Sequence, residues 1–102
     1  MSTLHTVNKS PFGNTALSSC LGHCLTGDAV LLIEDAVYGA LDGSAMASEV
    51  KARMGEVALY VLEGDLKARG IDAGKLISGA QPVGYDGFVD LVTEHDRTQS
   101  WL

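Results

Sequence analysis

One uninterrupted apolar run, AVLLI at residues 29–33, constrains the fold more than any other stretch of the chain. The run has the length of a strand and offers no polar face. Strands that are buried on both faces of a parallel sheet have this composition, whereas half-exposed strands alternate apolar and polar residues. The run therefore predicts a central strand of a mainly parallel sheet that is covered by helices on both sides.

Further strand and helix signals alternate along the rest of the chain. Apolar and β-branched runs predict strands over residues 4–7, 57–62 and 80–83, and the last is expected at a sheet edge because Pro82 cannot donate to a ladder. Caps and apolar stripes predict helices over residues 15–25, 36–41, 45–54, 66–69 and 86–98. Alternation of this kind is typical of βαβ units with right-handed crossovers. We therefore expect a single compact three-layer α/β/α domain over residues 1–102.

Composition and charge limit the kinds of partner. The 102 residues are 46% hydrophobic and 20% charged, as in an ordinary folded domain, and they carry a formal net charge of -6. Because nucleic acid binding depends on cationic contacts to phosphates, direct binding to nucleic acid is disfavoured. No apolar run approaches the ~20 residues that cross a bilayer, and the start, MSTLHTVNKS, does not resemble a secretory signal. We therefore expect a cytoplasmic protein with no membrane segment and with reduced thiols.

The first predicted helix carries the two cysteines of the chain, Cys20 and Cys24. Leu17, Leu21 and Cys24 follow the i, i+4, i+7 spacing of a buried stripe, which predicts that Cys24 belongs to the core. Cys20 lies about 60° from Leu17 around the helix, and we expect it at the edge of the stripe, within reach of a partner. From the pattern alone, Cys20 is either an inert buried thiol or a nucleophile. His23 lies about one helical turn away and could lower the pKa of Cys20.

A metal or a nucleotide cofactor is not expected from the motifs. Cys20, His23 and Cys24 form C-x-x-H-C, but structural zinc needs four ligands, and only His5 and His95 remain as further histidines. The chain contains neither G-x-G-x-x-G nor G-x-x-x-x-G-K-[ST], the two sequences that cradle phosphates of nucleotides.

Two other features have both a structural and a functional interpretation. Glu34 and Asp35 follow the central apolar run, where α/β folds place ligand sites, but acidic residues there also stabilise the N-terminus of a following helix. Trp101 stands one residue before the end of the sequence. Tryptophan is enriched in interfaces, so we expect Trp101 to dock either on this domain or on a partner subunit.

Four blocks of sequence carry a resemblance to a known family. They are LHTVNKSPF at 4–12, LLIEDAVYGAL at 31–41, LYVLEGDLKARGI at 59–71 and YDGFVDLVTEHDRTQSWL at 85–102. In this order and spacing, the chain resembles the DsrH/TusB family, small subunits of sulfur-relay complexes, over nearly its whole length. Cys20 matches the cysteine that DsrH-type proteins carry in the first helix and that TusB-type proteins generally lack.

The resemblance implies a DsrH-like subunit of a cytoplasmic DsrEFH sulfurtransferase complex in oxidative sulfur metabolism. Such a complex is a hetero-hexamer with two copies each of this chain and of DsrE-like and DsrF-like subunits, without which the chain is not expected to be active. Cys20 would relay sulfane sulfur as a persulfide toward a DsrC-type acceptor, with no cofactor. The family assigns no role to Cys24 or His23.

Two alternatives remain open after the sequence analysis. One is a TusB-like subunit of a sulfur relay that leads to 2-thiouridine in tRNA, in which Cys20 would be incidental. The other is a structural subunit without chemistry of its own, in which the sulfur travels on the DsrE-like subunit.

Overall fold

The computed structural model describes residues 2–102 and shows a five-stranded sheet with the strand order β4-β3-β2-β1-β5, in which every neighbouring pair is parallel. The strands are β1 (Thr3–Val7), β2 (Ala29–Leu32), β3 (Ala58–Leu62), β4 (Gln81–Val83) and β5 (Arg97–Trp101). The predicted α/β class and parallel sheet are therefore confirmed.

The apolar run at residues 29–32 forms the middle strand, as predicted. All four residues of β2 are buried, and β2 pairs with β1 on one side and with β3 on the other. Leu4 lies opposite Ala29 in this register, and Val7 lies opposite Leu32. The strand that contains Pro82 lies at the sheet edge beside β3, also as predicted.

Helices cover both faces of the sheet and produce three layers. They are α1 (Ala16–His23), α2 (Ala47–Arg53), α3 (Glu63–Ala68) and α4 (Tyr85–Glu94), together with 3-10 segments at Glu34–Ala40 and Ala73–Lys75. The segment predicted as a helix over residues 36–41 is thus a 3-10 helix. Within residues 2–102, no helix is long and apolar enough to span a membrane.

Side chains alternate across the sheet and fill two cores of different size. The larger core lies under α1, α2 and the first 3-10 segment and contains Val7, Val30, Val37 and Val61. The smaller core lies on the other face and consists of Leu4, Ala29, Leu31 and Leu91, with Phe88 and Tyr60 partly buried at its border. Helix α4 supplies both Leu91 and Phe88, so it is the helix that closes this second face.

The prediction for the C-terminal segment is wrong in one respect. The last helix ends at Glu94 instead of residue 98, and Arg97–Trp101 form β5 beside β1. The Asp96 N–H donates to the Ser2 carbonyl at 3.0 Å, and the Ser2 N–H donates to the Asp96 carboxylate at 2.8 Å, which fixes the entry into the strand. Because β5 is an exposed edge strand with the polar sequence RTQS, it lacks the apolar alternation by which a strand is recognised.

Candidate functional site

Both cysteines point from α1 into the larger core. Cys20 is 0% exposed and Cys24 is 5% exposed, beside Leu17 and Leu21. The predicted core position of Cys24 is confirmed, whereas the expectation that Cys20 lies at an accessible edge is wrong. The side of α1 that carries Cys20 packs on the same core as Leu17 and Leu21, and Trp101 of β5 is partly buried against that core.

The two thiols act as a pair. Their Sγ atoms are 4.0 Å apart, and we assign the proton between them to Cys20, which donates to Cys24. This hydrogen bond and burial raise the pKa of the Cys20 thiol far above its ordinary value. The same hydrogen bond lowers the pKa of Cys24, and the nearby Arg53 guanidinium acts in the same direction, so Cys24 is the more acidic of the two thiols.

A buried histidine and a buried carboxylate lie beside the thiols. His5 is 5% exposed and Asp28 is 4% exposed. His5 Nε2 is 2.9 Å from Asp28 Oδ2, and the Trp101 indole N–H donates to His5 Nδ1 at 3.0 Å. Since Nδ1 accepts this bond, we assign the proton of the neutral imidazole to Nε2, which donates to Asp28.

Asp28 is held in place from several sides. Besides His5, it accepts the backbone N–H of Thr3 and that of Leu25, each at 3.0 Å. Burial alone would raise the pKa of the Asp28 carboxyl, but the hydrogen bonds from Leu25, His5 and Thr3 together hold it below its usual value. Asp28 is therefore an ionised carboxylate inside the protein.

The histidine that joins the thiols is His5 and not the predicted His23. One ring nitrogen of His5 and the Sγ atoms of Cys20 and Cys24 all lie within 4.8 Å of one another. His23 is exposed, and its Nδ1–H donates to the Ser19 carbonyl at 2.8 Å. The shifts in the two thiol pKa values arise from the other thiol, from burial and from Asp28, and Arg53 acts on Cys24 as well.

The sequence contains a partial signal for His5 and Asp28, which were not predicted as site residues. Alternation along β1 places His5 on the same face as Val7, the face on which α1 packs. Asp28 directly precedes β2, whose first residue pairs with Leu4 of β1, so the two side chains meet at neighbouring strands. Their contact with α1 depends on tertiary packing and has no local sequence signature.

Trp101 closes this cluster from the side of β5. It is half-buried and lies between two histidines, with ring centroids 6.1 Å from His5 and 5.3 Å from His23. Of the two alternatives for Trp101, the structure shows docking on its own domain.

The acidic pair after β2 has partners within the chain. Asp35 accepts hydrogen bonds from Arg69 Nε at 3.0 Å and from Arg69 Nη2 at 2.9 Å, and Asp65 accepts the backbone N–H of Glu34 at 2.7 Å. Glu34 has a positive φ of 50°, a conformation that this last bond helps to hold. These contacts link the loop after β2 to α3 and favour the structural interpretation of Glu34 and Asp35.

The cluster combines two coupled thiols with a His–Asp pair, which is suited to thiolate chemistry or to metal ligation. It is also closed, because His5, Cys20, Cys24 and Asp28 are all buried. A reagent or partner group would therefore reach the sulfur atoms only after α1 or Trp101 moves.

Comparison with known proteins gives the family. The model of the family described as DsrH like protein matches residues 9–98. Protein TusB of Erwinia tasmaniensis is 41% identical over 99 residues, which is 96% of this chain and 99% of that protein. Protein TusB of Shigella flexneri is 33% identical over 98 residues, with 96% of this chain and 99% of that protein covered.

Solved structures share the fold at lower identity. The ychN protein from E. coli superposes with a TM-score of 0.83 at 18% identity, over 98% of this chain and 99% of that chain. Protein MTH1491 from Methanobacterium thermoautotrophicum superposes with a TM-score of 0.77 at 16% identity, over 97% of this chain and 96% of that chain. The family match and the full-length relatives together show that this chain belongs to the DsrH/TusB family.

Proposed function

We propose that the chain is a TusB-type subunit of a cytoplasmic sulfur relay that leads to 2-thiouridine in tRNA. The observation that carries this proposal is the set of relatives named TusB, which are 33–41% identical over 96% of the chain. Their name favours the TusB-like alternative over the DsrH-like one that Cys20 suggested. In this role the chain shapes the assembly, and sulfane sulfur travels on cysteines of its partner subunits.

The state of the thiols supports a scaffold role. In sulfur transfer, a thiolate attacks a terminal sulfane sulfur, forms a new S–S bond and releases the donor's thiolate. The attacking sulfur must therefore be ionised and accessible. Cys20 meets neither condition, because it is 0% exposed and its pKa is raised.

The face covered by α4 is the one that we assign to the partner subunits. Tyr85, Val89 and Val92 on this helix are 74%, 60% and 42% exposed. They form an apolar patch outside the smaller core, and exposed apolar patches commonly mark interaction sites. The family resemblance indicates DsrE-like and DsrF-like subunits as the partners.

A second candidate function is the DsrH-like one, with Cys20 as a persulfide carrier in a DsrEFH hetero-hexamer and a DsrC-type protein as acceptor. The observation that favours it is the 4.0 Å contact between the thiols, since a more acidic Cys24 stands next to Cys20. In this case Cys20 would need to become exposed in the complex, through movement of α1 or Trp101.

Sulfur loading of the assembled complex distinguishes the two candidates. The chain is purified together with its own DsrE-like and DsrF-like subunits, incubated with polysulfide and analysed by intact-mass spectrometry. We expect sulfur on the DsrE-like subunit, no gain on this chain, and the same loading with Cys20→Ser. A gain of one sulfur on this chain that disappears with Cys20→Ser and persists with Cys24→Ser would contradict the scaffold role and support the DsrH-like function.

A further inference from the structure

We propose that His5, Cys20 and Cys24 bind a zinc ion, with Asp28 as the outer partner that orients the imidazole. The proposal concerns a different property of the chain from sulfur transfer, and it holds whether or not the chain carries sulfur. The three ligands come from two elements, β1 and α1, which the fold brings together across the larger core.

The spacing of the sulfur atoms fits a single metal ion. Two thiolates at ~2.3 Å from zinc lie ~3.8–4.0 Å apart when the angle between them is tetrahedral to trigonal. The Sγ atoms of Cys20 and Cys24 are 4.0 Å apart, with no disulfide between them. The His5 nitrogen lies within 4.8 Å of both, so a modest inward movement of the ring would complete three bonds.

The surroundings of His5 resemble the outer shell of a zinc ligand. Histidines that bind metals commonly donate their second ring N–H to a carboxylate, which fixes the ring and makes the ligand nitrogen more basic. His5 already makes this bond through Nε2 to Asp28 at 2.9 Å. Because a bond to a charged partner is stronger than a neutral one, we assign Nδ1 to the metal, in place of the bond that it now accepts from Trp101.

The charge of the site favours a divalent ion. Zinc would displace one proton from each thiol, and the two thiolates and the ion would then sum to zero charge in the buried cluster. A monovalent copper ion with the same two thiolates would leave one negative charge next to the carboxylate of Asp28. Burying such uncompensated charge is costly, so the charge balance of the buried cluster suits zinc.

Trp101 provides both the entrance and a reporter. It is half-buried over His5, and its movement away from the His5 ring would expose Nδ1 and leave the fourth coordination position open to water or to an added thiol. Since Trp101 is the one tryptophan of the chain, loss of its hydrogen bond to His5 changes the fluorescence of a single known residue.

The test uses the full-length reduced chain, first with zinc and then with cobalt as a spectroscopic substitute. We expect one zinc per chain after dialysis, a Trp101 fluorescence change that saturates at one equivalent, and thiolate-to-cobalt charge-transfer absorption. Cys20→Ser and Cys24→Ser should each weaken zinc binding at least about 100-fold, and Asp28→Asn should weaken it about 10–100-fold. His23→Ala is the matched control, because His23 lies on the same helix as the cysteines and next to Trp101 but is outside the ligand set. The zinc affinity of this variant should be unchanged.

Three results would overturn the proposal. The first is zinc bound at well under one ion per chain, and the second is binding that Cys20→Ser and Cys24→Ser leave unaltered. The cobalt spectrum of the unmodified chain needs no variant, so absence of thiolate charge-transfer bands also refutes the site even if a substituted chain fails to fold. Sulfur loading of the complex is a separate readout, so failure of one proposal is distinguishable from failure of the other.

Discussion

The sulfur atoms of Cys20 and Cys24 lie 4.0 Å apart beneath α1, with the Cys20 thiol assigned as the hydrogen-bond donor. Cys20 is 0% exposed and Cys24 is 5% exposed, so the thiol assigned as donor is the more deeply buried of the two. Two cysteines one helical turn apart are thus chemically different, because the pKa of Cys20 is raised and that of Cys24 is lowered. In the isolated chain, Cys24 is therefore both the more acidic and the more exposed of the two thiols.

The first prediction concerns alkylation of the thiols. In the native chain, Cys24 should react with iodoacetamide before Cys20, because it has the lower pKa and the greater exposure. Cys20 should react at least about 100-fold more slowly than in the denatured chain, which corresponds to an opening free energy of about 2.8 kcal/mol. Peptide mass spectrometry at timed intervals measures both rates, with the chain in urea as the control. Faster labelling of Cys20 than of Cys24 would show that the proton is assigned to the wrong sulfur.

The second prediction concerns Asp28→Asn. Either orientation of asparagine would set its amide nitrogen against an N–H that Asp28 now accepts, that of Thr3 at Oδ1 or those of Leu25 and His5 at Oδ2. We expect the free energy of unfolding at pH 7 to fall by about 2–4 kcal/mol, as measured by urea titration followed by circular dichroism.

The pH dependence of the same variant tests the charge state of Asp28. Its pKa is lower in the folded state than in the unfolded chain, so the folded state binds fewer protons and loses stability as the pH falls through this range. The difference in unfolding free energy between Asp28→Asn and the unmodified chain should therefore be full above pH ~5 and shrink toward pH ~3. A difference that stays constant from pH 7 to pH 3 is incompatible with an ionised Asp28 that is stabilised by folding.

Some strands could be predicted from the residues that form them, and others could not. The middle strand was predictable because residues 29–32 are apolar on both faces, and the edge position of β4 was predictable because Pro82 lacks a donor. Strand β5 was not predictable from the sequence, because its polar residues are stabilised by pairing with β1, more than ninety residues earlier in the chain. Propensity in a short window carries no information about such pairing.

In the candidate site, too, one part was predictable from helical spacing and the rest depends on tertiary packing. The stripe of Leu17, Leu21 and Cys24 follows helical periodicity, and the structure confirms it. The complete burial of Cys20 and the meeting of the thiols with His5 depend on how α1 packs across β1. These contacts join distant segments, so spacing in the sequence pointed to the neighbouring His23 instead.

The third prediction uses two glycines as a matched pair. A Cβ added at Gly39 would lie 2.5 Å from Cδ2 of the buried Leu17, and 3.6 Å and 3.9 Å from atoms of Pro11 and Leu32. Gly39→Ala should lower the free energy of unfolding by about 1–3 kcal/mol, because the packed core cannot expand without strain. A Cβ added at Gly22 meets no atom within 4 Å, so Gly22→Ala should raise the free energy of unfolding by about 0.5 kcal/mol. Equal effects of the two substitutions in urea titrations would mean that Gly39 is not a close-packing position.

The fourth prediction concerns the apolar patch on α4. Val89 is 60% exposed, so Val89→Asp should leave the fold unchanged and weaken association with the DsrE-like and DsrF-like subunits by about 10-fold or more. Co-purification and titration by light scattering measure this association. Ala52→Asp is the control, because Ala52 is exposed on α2, on the opposite face of the sheet, and should not alter assembly. Comparable loss with both variants would argue against α4 as the partner surface.

The 2-thiouridine content of tRNA, in the organism that carries this chain, tests the proposed function most directly. Nucleosides from hydrolysed tRNA are quantified by mass spectrometry after deletion of the chain and after its replacement by a Cys20→Ala/Cys24→Ala double variant. We expect deletion to remove most of the 2-thiouridine, and we expect the double variant, once shown to assemble with its partners, to restore it. Normal 2-thiouridine after deletion would contradict the TusB-type function, and failure of the assembled double variant would contradict the scaffold role.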